Sequence, residues 1–207
     1  MEGQTLEVLP PAKLAHWPLD ACKAEDVEKG HDGTLVGPVG CGPDRFGTKT
    51  SALKFSGKGI VRGNSLPSWT GDFSLSAWVR PEKAPEGSSP SDGVFLEISP
   101  APDADINVLP VRLSWSETTS TLLVTHKDSQ SAIASFPDVA PGAWHFLLVS
   151  RAQTTLLTCM DGVQVTTSTT AFELGTGFVF GGTAAGASGF LGDLDDVYYE
   201  SRARGAT

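Results

Sequence analysis

Three groupings of residues in this 207-residue chain are of types and spacings that could do chemistry. The first is residues 71–81, GDFSLSAWVRP, in which Ser74, Ser76, Trp78 and Arg80 alternate with Phe73, Leu75, Ala77 and Val79. A period of two is that of an extended strand, so the polar set shares one face and the apolar set the other. An indole beside hydroxyls and a guanidinium can stack and hydrogen-bond a sugar ring, which makes Trp78 and Arg80 candidate ligand-binding residues. The commoner arrangement is a tryptophan covered by a long loop such as residues 82–93, EKAPEGSSPSDG. The second grouping is the acidic run Asp193, Asp195 and Asp196. Strict alternation puts Asp195 on the face of Leu191, Val197 and Tyr199; if that face turns inward, its carboxylate is partly desolvated and needs a partner, which a hard cation would supply. The plainer reading is that Asp195 caps neighbouring amides while Asp193 and Asp196 are solvated. The third grouping is diffuse: His16, His31, His126 and His145 stand singly, and no G-x-S-x-G signature accompanies them, so each reads as a packed or surface histidine.

Composition limits the partners. With 24 acidic and 15 basic residues the formal net charge is -9, which repels phosphate backbones and anionic lipid and argues against nucleic acid. No apolar run approaches the roughly 18 residues of a membrane span. The first residues, MEGQTLEVLPPAK, lack a basic stretch leading into an apolar one, so no signal peptide is read. Neither Asn64 nor Asn107 lies in an N-x-[ST] acceptor, and three cysteines are too few for a disulfide scaffold. These absences lean weakly toward an intracellular setting; a native chain continuing upstream of Met1 into a secretory signal would place the protein outside the cell.

The elements that must position these residues are strands. Residues 73–80 form the clearest one, bounded by a Gly-Asp turn and by Pro81, which cannot donate to a ladder. Residues 6–8 read as a short strand, and residues 14–19, LAHWPL, as an edge strand because of Pro18. Residues 21–29 are one helical turn or a loop. Residues 35–47 are studded with glycine and proline and should run over the surface. Further strands are read at 52–55, 60–62, 94–98, 111–116, 122–126, 144–151, 155–160, 178–180 and 190–199, with Asp161-Gly162 marking a type I′ hairpin. Of the tryptophans, Trp17, Trp69, Trp115 and Trp144 read as core. No stretch keeps a helical period, so the fold is expected to be all-β, a single sandwich domain at residues 14–203 with an N-terminal arm at 1–13 and a tail at 204–207.

Taken in order, HWPLD (16–20), DGTL (32–35), ALKFSGKG (52–59), GDFSLSAWVRP, GAWHFLLVSR (142–151), MDGVQV (160–165) and GFLGDLDDVYY (189–199) resemble laminin-G-like, concanavalin A-like jelly-roll domains. The resemblance covers most of residues 14–203. It implies two antiparallel sheets stacked face to face, in many members with one calcium ion on the rim. In the calcium-binding relatives the acid before the closing strand joins a carbonyl after the second strand and an oxygen near the first. Those positions match Asp195, Gly57 or Gly59, and 18–20, with Asp20 as the side-chain donor; backbone carbonyls and waters would complete the shell. The family's functions range from glycan binding and adhesion to protein docking and glycoside hydrolysis, so the fold alone decides little. Hydrolysis requires two carboxylates on one strand face. No E-x-D-x-E pattern exists here, the central strand offers Ser74, Ser76 and Arg80 where acids would be needed, and Glu97 stands alone, so no enzyme is expected.

The cysteines admit two readings: Cys22 and Cys41 flank DGTL and could pair, or all three thiols are free, and the absent secretory signals favour free thiols. Two functions remain open. One is a docking subunit holding a protein partner within a larger assembly, favoured by loops rich in Gly, Pro, Ser and Ala and by the intracellular lean. The other is a lectin-like module recognising glycan through the Trp78 face or a calcium rim.

Overall fold

The computed structural model describes residues 13–28, 30–67, 69–89, 91–99, 111–126, 132–168, 174–186 and 188–204. The expected strand at 6–8 and most of the irregular stretch 99–110 lie outside these residues. Two antiparallel sheets form a sandwich. The first contains, in spatial order, β13 (Val163–Ser168), β12 (Thr155–Met160), β11 (His145–Ala152), β6 (Phe73–Pro81), β15 (Leu191–Glu200), β4 (Ala52–Ser56) and β3 (Val39–Gly42), with β1 (Lys13–Trp17) paired to the far half of β15. The second runs β10 (Ala132–Phe136), β9 (Thr121–His126), β8 (Val111–Ser116), β7 (Asp92–Ser99), β14 (Gly177–Phe180), β5 (Ile60–Gly63) and β2 (Thr34–Val36).

The period-two pattern of β6 decides the packing. Phe73, Leu75, Ala77 and Val79 are all at 0% exposure between the sheets, and β6 is central, flanked by β11 and β15. Across the interface Trp17 packs on Phe178 and Phe180, with centroids 4.6 and 5.3 Å away, and Phe190 bridges Phe55 and Phe95. Asp161 and Gly162 both have positive φ, at 47° and 86°, as the hairpin between β12 and β13 requires.

Several expectations are corrected. The glycine- and proline-rich residues 35–47 contain two edge strands, β2 in the second sheet and β3 in the first, so the chain changes sheets there. Strand β10 carries too weak an alternation (AIASF) to be read from sequence and is held by its register with β9. Trp144 is not core: it is half-buried on the outside of the first sheet, under the Arg80 guanidinium, whose carbon lies 5.4 Å from the ring centroid. Cys22 and Cys41 are not free thiols but a disulfide, Cα–Cα 5.1 Å, joining the short 3-10 turn Asp20–Cys22 to β3. The pairing follows from the approach of that turn to the sheet edge, where the Ala21 N–H donates to the Thr50 carbonyl, and not from any compositional signal. Cys159 is free and buried. The loop 82–91 is tied down by one carboxylate oxygen of Glu117, which accepts the N–H groups of Ala84 and Ser91 and whose pKa those bonds depress.

Candidate functional site

The outer face of the first sheet holds most of the residues singled out in the sequence, and they are engaged with one another. Trp78 is half-buried, with the Arg45 guanidinium 5.0 Å above its ring and Phe146 tilted against it at 5.3 Å. Arg80 donates from Nε and a terminal nitrogen to Asp193 Oδ2, at 3.0 and 2.7 Å. Asp193 is fully buried because Gly42 of β3 lies directly against it; a Cβ there would overlap Asp193 Oδ1. Burial raises its pKa while Arg80 opposes the rise. At the other end of the face, the Arg204 N–H donates to the hydroxyls of Ser74 and Ser150, and the Arg204 guanidinium pairs with the buried Glu200. The chain beyond residue 203 is therefore strapped across the sheet at least as far as Arg204.

Asp195 lies on this outer face and not with Val197 and Tyr199. The pairing of β15 with β6 slips between Asp195 and Tyr198, where two residues of β15, Asp196 and Val197, oppose one of β6, Ala77, and Asp196 adopts φ 46°. This bulge inverts the alternation, so Leu194, Val197 and Tyr199 point to the core while Asp195 faces Trp78. Its partner is a cation of the protein itself: Arg45 donates to Asp195 Oδ2 and Asp196 Oδ2, both at 2.8 Å. His16 Nε2 lies 3.1 Å from Asp196 Oδ1 and stacks on Tyr198 at 3.9 Å. Burial and the Asp196 carboxylate push the Asp195 carboxyl up to about 7, against the pull of Arg45. The bond to His16, with that to Arg45, holds Asp196 below its ordinary value despite its burial.

The expected calcium ligands do not fit a single shell. The register of β15 with β4 places Asp195 beside the start of β4, since Leu194 pairs with Leu53 and Leu191 with Ser56. Gly57 follows the other end of β4, roughly 17 Å away at about 3.4 Å per residue. Asp20 is exposed in the 3-10 turn. Among the described residues no three His, Cys, Asp or Glu side chains are grouped to hold a metal.

A well-formed recess lies on the other sheet. A cleft of about 680 Å³ is lined by Asp32, Thr34, Arg62, Asn64, Ser65 and Ser99, with Val179 at its base. Thr34 pairs with Arg62 and Arg62 with Val179, so these three side chains form one row on the outer face while Val61, Phe178 and Phe180 point into the core. Gly63 packs directly on the Phe178 ring, with no room for a Cβ, and Asn64 and Ser65 follow at the rim. One wall, at Ala184, is fixed by Glu97. This carboxylate is 1% exposed; Oε1 accepts the Ala184 N–H at 3.0 Å and Oε2 pairs with Arg112 Nε. Sequence reading missed the cleft because its residues come from five separate segments. The available signal was the polar run Arg62-Gly63-Asn64-Ser65 directly after a strand.

Domain 4 of a GH43 extracellular arabinanase from Geobacillus stearothermophilus, solved with arabinotriose, superposes with TM-score 0.70 at 18% identity, covering 94% of this chain and 95% of that one. Trypanosoma rangeli sialidase with sialic acid gives TM-score 0.67 at 16% identity, covering 96% of this chain and 32% of the other. The binding domain of botulinum neurotoxin serotype D gives 0.68 at 11% identity, with 94% and 49% covered. The chain thus spans about a third of the sialidase and half of the toxin domain. No curated protein matches the sequence. A family model described as the concanavalin A-like lectin/glucanases superfamily matches residues 55–207. That match takes in every strand from the end of β4 onward, and the chain belongs to the concanavalin A-like lectin/glucanases superfamily.

Proposed function

We propose that the protein is a non-catalytic carbohydrate-binding module and that glycan occupies the cleft on the second sheet. The observation that carries the reading is the lining: two serines, a threonine, an asparagine, an aspartate and an arginine arranged over an apolar base, in a recess of about 680 Å³. These groups offer donors and acceptors to ring hydroxyls, and Val179 offers apolar contact. Glycoside hydrolysis needs two carboxylates flanking the bond, and among the described residues lining the cleft Asp32 alone has one. Glu97 is withdrawn beneath the wall by Arg112 and the Ala184 N–H. The arabinanase domain solved with arabinotriose supports the reading as a fold precedent.

A panel of glycans should show saturable binding that Asn64→Ala weakens by roughly 10-fold without lowering the melting temperature, since Asn64 is exposed. Trp78→Ala should lower stability and leave binding intact. Loss of binding in a folded Trp78→Ala protein would move the site to the first sheet. A protein-docking role is favoured by one specific feature, the ring of Phe46, 78% exposed and backed by Arg45 at 4.6 Å. Under that reading Phe46→Ala, and not Asn64→Ala, abolishes recovery of a stable complex from native material.

The disulfide supports a place in an oxidising compartment. Unfolding without reductant followed by alkylation should label Cys159 alone; labelling at all three cysteines removes this inference.

A further inference from the structure

The chain has seven arginines. Arg45 is held by Asp195 and Asp196, Arg80 by Asp193, Arg112 by Glu97, and Arg202 and Arg204 by Glu200. Arg151 donates to the carbonyls of Thr70 and Gln153. Arg62 has no hydrogen-bond or ion-pair partner among the described residues, and it is the one that lines the large cleft. From this juxtaposition we infer that the ligand is a sugar bearing a carboxylate and that Arg62 selects it. The inference rests on the cleft being a glycan site.

A guanidinium has only donors, five N–H groups in a planar fork, and a carboxylate matches two of them in parallel. A neutral hydroxyl would take one N–H and leave the charge uncompensated as the ligand displaces water. Elsewhere in this protein five of the other six guanidinium groups are matched to carboxylates. The row Thr34, Arg62, Val179 places Arg62 on the penultimate strand of the outer face, next to a hydroxyl on one side and an apolar surface on the other. Asp32, which also lines the cleft, has one oxygen taken by the Asp26 N–H, and its other oxygen can accept a sugar hydroxyl. In a chain of net charge -9 an anionic ligand gains nothing from the overall field, so a local cation must supply the selectivity.

The test is calorimetric titration of the full chain with matched pairs: 3′-sialyllactose against lactose, and digalacturonate against its dimethyl ester. The expected result is that the acid of at least one pair binds 10-fold or more tighter than its neutral partner; the pair that responds distinguishes a sialate from a uronate. Arg62→Gln should erase the difference and Arg62→Lys should retain part of it, since the charge remains and the fork is lost. Both side chains project from an exposed position, so the variants should keep the parental melting temperature. Equal binding of acid and neutral sugars, with both lost in Asn64→Ala, overturns the carboxylate preference and leaves the cleft as a glycan site. An acid preference that survives in Arg62→Gln overturns the assignment to Arg62. Failure of all four sugars, together with the whole glycan panel, overturns the cleft reading and this inference with it.

Discussion

Arg112→Met is expected to cost about 3–5 kcal/mol of folding stability, because it strands the Glu97 carboxylate in a site where its side chain is only 2% exposed. Glu97→Gln should cost less. It leaves Arg112 behind, but that side chain is 33% exposed and can turn to water. The double variant Glu97→Gln/Arg112→Met should recover much of the loss, since the pair is then replaced by a neutral amide and an apolar stem. The same carboxylate links stability to the candidate site, because its other oxygen accepts the Ala184 N–H at the cleft wall. Glu97→Gln keeps a carbonyl oxygen for that bond and should keep glycan affinity, whereas Glu97→Ala removes it and should lose affinity beyond the loss of stability. Denaturant unfolding of the four variants, with titration of the folded ones, checks both parts. If Arg112→Met were no more harmful than Glu97→Gln, the buried-charge account would fail.

This site shows where sequence reading ends. Strand β6 was legible because alternation is local: each apolar side chain specifies its own face, and all four went to the core. The hairpin at Asp161-Gly162 was legible for the same reason. Asp195 was misplaced because a single bulge at Asp196 reverses the alternation, and a bulge is set by the partner strand and not by the residues that form it. The neutralisation of Asp195 by Arg45, 150 residues distant in sequence, is likewise a product of register. The cleft was invisible for a further reason. Its polar residues are ordinary surface types taken from β2, β5, β7 and the segments beside them, and nothing local distinguishes Arg62 from a solvated arginine. What distinguishes it is that each of the other arginines has a partner, a property of the whole fold.

Arg80 illustrates the opposite case, a residue that looked like ligand chemistry and serves the fold. Asp193 is fully buried, its Oδ2 receives both Arg80 bonds, and its Oδ1 has no partner. Arg80→Met should therefore cost about 3–5 kcal/mol at neutral pH, because it leaves a fully buried carboxylate without its hydrogen-bonded cation, and Lys54, across from it on β4, is engaged with Glu82. The sign of the pH dependence follows from the direction in which burial already moves this group. Asp193 titrates above its ordinary value in the native state, and removing Arg80 takes away the main interaction that opposes this, leaving only the weaker pull of Lys54. Between the ordinary carboxylate pKa and that raised value the native variant binds a proton that the unfolded chain does not, so its stability falls as pH rises through this window. The deficit relative to the parent should accordingly be smaller at pH 5 than at pH 8. Adding Asp193→Asn should remove most of the pH dependence, since the amide cannot ionise. Glycan affinity in the folded Arg80→Met protein should equal that of the parent, because the cleft lies on the other sheet. A deficit independent of pH would show that Arg80 acts through its packing on Trp144 and not through the Asp193 charge. Loss of glycan binding in the folded variant would return the ligand to the Trp78 face.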